Sequence, residues 1–317
     1  MSETPDPSAV TRELTGAAES DAFRPIRDRL AELNVHDAAL RRMLADVSEA
    51  PGGQDELLRL RSRLGLDAAT AAGMLFERYV LLRGALAAVS GVARLPVPEG
   101  VKTLMLEEFV WLTRPKDREL PWFTAGQYVF SALCKLVTLR RFSAGQLHWE
   151  VGGLSRSTLW RVQRRQLPAL VGGVRALGGF RPTFVPHLAW RRRQIVMSER
   201  EHCRSLFLMT QALELQPQIL GYVGEAWFYS PDAHRVSPHL AWTKTLFEAW
   251  GGTVVISGAA DESSGVFQGS RARRELAESG AFRPTLGLAI WPRAGMRRWA
   301  DSVRLEYGQP AEPELVG

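Results

Sequence analysis

Residues 219–260 read ILGYVGEAWFYSPDAHRVSPHLAWTKTLFEAWGGTVVISGAA, and this stretch decides the fold class. Residues 221–230 are rich in aromatic and β-branched types and are flanked by Pro217 and Pro231, which predicts a strand. Period two puts Tyr222, Gly224, Ala226 and Phe228 on one face, and Val223, Glu225, Trp227 and Tyr229 on the other. Ser237-Pro238 has the form of a helix start, with Ser as N-cap and Pro where no N–H is needed. Leu240, Leu246, Phe247 and Trp250 give that helix an apolar stripe, and Gly251-Gly252 stops it. Residues 253–256 then form a short apolar run suited to a buried strand. Strand, helix and strand in this order predict a parallel crossover between 221–230 and 253–256.

A chain of 317 residues with 45% apolar content has enough material for a packed core. Its two cysteines, Cys134 and Cys203, stand in apolar helical contexts, so reduced thiols and a cytoplasmic location are expected. The N-terminus MSETPDPSAV is acidic and does not read as a signal peptide. The most apolar segment, 71–92, carries Glu77, Arg78 and Arg83, so no membrane span is expected. The formal charge of +6 is uneven: residues 135–204 hold 14 basic and three acidic side chains. Such a band suits an anionic partner. However, 36 arginines against four lysines along the whole chain point equally to an arginine-biased composition.

Taken in order, residues 1–20 read as a disordered tail, 21–115 as a helical N-terminal segment and 116–317 as an α/β domain. Helices are expected over 124–142, 165–177, 198–215, 270–279 and 295–302, with Ser198 and Ser270 as N-caps. Strands are expected over 146–151, 181–188 and 285–291, the second at an edge or bulged because of Pro182 and Pro186. Residues 153–161 resemble the turn and recognition helix of helix-turn-helix DNA-binding proteins. Trp149, however, stands where that crossing needs a small residue, so a hairpin pairing 146–151 with 159–162 is expected instead.

Two places could carry chemistry. The segment 230–238 and the helix start behind it could hold an anionic group through Arg235, Ser237 and His239. Glu225 and Tyr229, read onto one strand face, could serve as general base and acid, because a carboxylate among apolar neighbours is costly unless it is paired or working. The alternative for Glu225 is a salt bridge to an arginine. His187 and His239 have no spaced third ligand, so no metal site is expected. No Walker-type loop, dinucleotide glycine pattern or GxSxG is present.

From residue 218 to 291, and above all in SRARRELAESGAFRPTLGLAIW, the chain resembles the closing segment of GNAT-type N-acyltransferases. The resemblance implies a mixed-sheet GNAT-like domain behind the helical N-terminal segment, of α/β (α+β) class. It also implies acyl-CoA or an acidic acyl-carrier protein as donor, a small amine as acceptor, and binding where strand 221–230 splays from its neighbour. Glu225 would be the base. The residues between Tyr229 and Leu240, where the resemblance puts the pyrophosphate loop, contain no glycine. The competing expectation is a non-enzymatic nucleic-acid-associated or protein-interaction module using the band 135–204.

Overall fold

The computed structural model describes residues 5–49, 53–66, 71–114, 128–189, 197–261, 264–267 and 270–307. Its contacts divide the chain into two units, residues 1–144 and residues 145–312, where the sequence suggested a boundary at 115–116.

The first unit is helical: α1 (Pro7–Glu19), α2 (Arg24–Glu32), α3 (Asp37–Glu49), α4 (Asp55–Arg63), α5 (Ala71–Val92), α6 (Glu99–Trp111) and α7 (Tyr128–Val137), closed by a short strand β1 (Arg141–Ser143). The tail expected over 1–20 is largely α1. Asp6 caps it, its carboxylate accepting from the Ser8 N–H at 3.0 Å, and Val10, Leu14 and Ala18 are buried. The Asp-Pro pair is the start signal that the polar composition obscured. The charges within α5 are each engaged. Glu77 meets Arg61 at 2.5 Å, Arg78 donates to the carbonyls of Leu112 and Thr113 at the end of α6, and Arg83 bonds Asp37. Among the described residues no helix is long and apolar enough to cross a membrane.

The second unit is a mixed sheet flanked by helices. Its strands are β2 (Leu147–Gly152), β3 (Thr183–Leu188), β4 (Gly221–Ala226), β5 (Thr253–Ala259) and β6 (Thr285–Pro292), in the order β2-β3-β4-β6-β5. β4 and β5 are not neighbours: β6 lies between them, antiparallel to both. The crossover predicted from 219–260 therefore spans a gap that the chain fills last. β6 is buried from Gly287 to Pro292, as a strand paired on both sides and covered on both faces should be. Likewise β3, expected at an edge, is interior. It pairs antiparallel with β2 over six positions and parallel with β4 at Phe184↔Tyr222. The expected return strand 159–162 is instead the one-turn helix α8 (Thr158–Arg161).

Side-chain alternation sorts the core into two layers. On one face Val223, Val255, Leu288 and Ile290 pack against Leu170 and Leu177 of α9 (Leu167–Leu177) and against Leu154 and Val162. On the other, Tyr222 and Trp291 meet Phe247 of α12 (Trp242–Ala249) at 5.3 and 5.2 Å between ring centroids. Trp299 of α14 (Arg293–Ser302) extends the row at 5.4 Å from Trp291. α10 (Glu199–Leu215) connects β3 to β4 and is capped as expected, Ser198 Oγ accepting from the Glu201 N–H at 3.3 Å. α13 (Arg271–Glu278) is likewise capped by Ser270.

Candidate site at the ends of two parallel strands

β3 and β4 run parallel, yet share a single ladder position. Pro186 brings no N–H to that ladder. Opposite it stands Gly224, where a Cβ would lie 2.8 Å from both Pro186 Cγ and the Tyr222 hydroxyl, so only glycine fits against the ring. Beyond Phe184↔Tyr222 the two strands are thus bare of mutual pairing at their C-terminal ends. In open α/β sheets ligands bind outside the carboxyl ends of the strands.

Two titratable residues stand at these strand ends. His187 is the last residue but one of β3, and Glu225 the last but one of β4. Counted three residues along each strand from Phe184↔Tyr222, His187 and Glu225 stand at the same level, on the face shared with Val185 and Val223. His148 pairs with His187 from the β2 side, and His187 Nε2 lies 3.3 Å from Glu150 Oε1. Glu225 is about one-third exposed and its carboxylate lies 3.4 Å from Arg161, which is half-exposed. The burial expected for Glu225 is therefore absent, and the arginine pairing weighed against it is present.

Tyr229 does not join Glu225. β4 ends at Ala226 and residues Trp227–Tyr229 form a 3₁₀ turn, which breaks the period of two. The turn swings Tyr229 to the opposite face, where its hydroxyl sits 2.5 Å from that of Tyr222, both rings buried. Desolvation raises both phenols above their ordinary value, so each keeps its proton.

The expected anion site also takes another form. Ser230, not Ser237, caps a helix: its hydroxyl accepts from the Asp232 N–H at 3.2 Å, at the head of α11 (Pro231–Val236). Ser237-Pro238 opens only a 3₁₀ turn, and α12 begins at Trp242. Arg235 is exposed and 3.4 Å from Asp232, and His239 is exposed. Ser237 is buried and accepts from Arg273 at 3.4 Å. These three side chains do not converge.

His202, in the first turn of α10, escaped the sequence reading because a lone histidine on an amphipathic helix carries no spacing signal. It is fully buried between Phe228, at 6.3 Å, and Trp242, at 5.3 Å, with no hydrogen bond to either ring nitrogen. Burial lowers its pKa to about 4. The unfolded chain then binds more protons than the folded one below the ordinary histidine value, so stability falls as pH drops from about 6.5 to about 4. His202→Phe is expected to remove about 3 kcal/mol of that acid sensitivity. Urea midpoints at pH 7 and pH 4.5 measure it, and parallel losses in both proteins would contradict the assignment. Among the described residues no cluster of three or more His, Cys, Asp or Glu could hold a metal.

No protein-family model and no curated protein matches this sequence. Among solved structures, one described as "The crystal structure of acyltransferase in complex with decanoyl-CoA" is similar over 89% of this chain and 88% of that one, with 14% identity and a TM-score of 0.47.

Proposed function

We propose that the second unit is a GNAT-like acyltransferase domain that moves an acyl group from a thioester to an amine, at the C-terminal ends of β3 and β4. The observation that carries this reading is the parallel pair whose one ladder position, Phe184↔Tyr222, puts His187 and Glu225 at the same level near the C-terminal ends of adjacent strands. Attack of the amine nitrogen on the thioester carbon forms the C–N bond and breaks the C–S bond. Glu225 takes the proton that the amine loses, and the departing thiolate gains one from His187, oriented by Glu150. His187 replaces Tyr229 in the acid role, since Tyr229 faces away and holds its proton tightly. Acyl-CoA and a carrier protein both present the acyl group on a pantetheine arm, so this reading accommodates either.

The test uses that shared arm. Octanoyl-pantetheine is supplied with a panel of primary amines, and free thiol is followed. Amine-dependent thiol release, lost in His187→Ala, is the expected result. Release at the uncatalysed rate with every amine, together with no change in melting temperature on adding octanoyl-pantetheine, would overturn the proposal.

A further inference from the structure

Trp160, on α8, is 89% exposed. It leaves a large apolar surface in water, and tryptophan is enriched at protein interfaces. Arg156, Arg161, Arg164 and Arg165 are exposed beside it in the chain, and Val171 is 56% exposed. Between Glu150 and Glu199 the sequence holds nine arginines and no acidic residue, so this surface has no negative charge of its own sequence region to quench it. The patch is also firmly mounted. Leu154 and Val162 are buried in the cluster with Val223, and Leu159 packs against it. Finally, it borders the candidate site: Arg161 reaches Glu225 at 3.4 Å.

We propose that this surface docks an acidic carrier protein that delivers the acyl thioester on its pantetheine arm. The inference rests on the acyl-transfer reading and names the donor for that same site. Tryptophan and arginine are the residues that most often dominate protein interfaces, and the guanidinium fork suits carboxylates. Arg161 already meets one in Glu225. A polyanion such as nucleic acid would satisfy the charge equally. The patch, however, adjoins the place where a thioester would be opened, and a protein that brings the thioester is the partner that needs such adjacency.

The experiment compares the whole chain with Trp160→Ala and with Arg164→Ala/Arg165→Ala, none of which touches the facing pair. The probes are octanoylated acyl carrier protein, octanoyl-pantetheine, a 20-nucleotide single-stranded DNA and anionic vesicles of phosphatidylserine with phosphatidylcholine. Expected is saturable binding of the carrier protein that weakens about tenfold in each variant and with rising salt. The kcat/KM for octanoyl-pantetheine should stay unchanged in both variants. Binding of DNA or vesicles through these residues, with none of the carrier protein, would overturn the docking surface. So would carrier binding that both variants retain in full. Turnover of octanoyl-pantetheine without carrier binding would remove the docking proposal alone, whereas carrier binding with no turnover of any octanoyl thioester would remove the acyl-transfer reading.

Discussion

Glu225→Gln is expected to slow amine-dependent thiol release from octanoyl-pantetheine by about 10²–10⁴-fold, the usual contribution of a general base. Glutamine keeps the shape and most of the hydrogen bonding of the carboxylate but cannot take a proton at neutral pH. The melting temperature should hardly move. The ion pair with Arg161 is partly exposed on both sides and 3.4 Å long, and such pairs contribute about 0–1 kcal/mol. A variant that melts normally and turns over normally would leave Glu225 without a chemical role. One that loses several kcal/mol would make it a structural carboxylate.

The largest effect on stability is expected from Phe247→Ala. Phe247 is fully buried on α12 and touches three rings, Tyr222, Tyr229 and Trp291, at 5.2–5.3 Å between centroids. Truncating a buried phenylalanine costs about 3–5 kcal/mol through lost transfer energy and the cavity left behind. For a unit of this size that corresponds to a drop of about 10 °C in melting temperature. Phe247→Leu, which keeps most of the volume, should lose less than half as much. A thermal melt of both variants decides it, and a loss under about 1 kcal/mol in the alanine variant would mean that the aromatic layer repacks.

Local signals carried much of the architecture. Ser198 and Ser270 announced their helices because a cap is a short-range hydrogen bond, and β2, β4 and β6 showed as apolar or alternating runs. What the sequence hid is mostly pairing between distant segments. Nothing within 219–260 says that β6, some thirty residues further on, will insert between β4 and β5. Pro186 looked like an edge signal, yet it stands in an interior strand, packed against Gly224. At the site, Glu225 was visible as a carboxylate in an apolar strand. Its counterpart His187 was not, because the juxtaposition comes from a parallel register through Phe184↔Tyr222. Tyr229 was read onto the wrong face, since a single 3₁₀ turn after Ala226 shifts the phase of all that follows.

The aromatic row gives this protein an optical signature of its own. From Trp299 through Trp291, Phe247, Tyr229 and Phe228 to His202 and Trp242, each ring lies 4.6–6.3 Å from the next. Chromophores held at such spacings and fixed tilts couple their transitions, so they generate circular dichroism in the near ultraviolet that a loosely packed core does not. The near-ultraviolet band therefore carries the packing of this row as one of its sources.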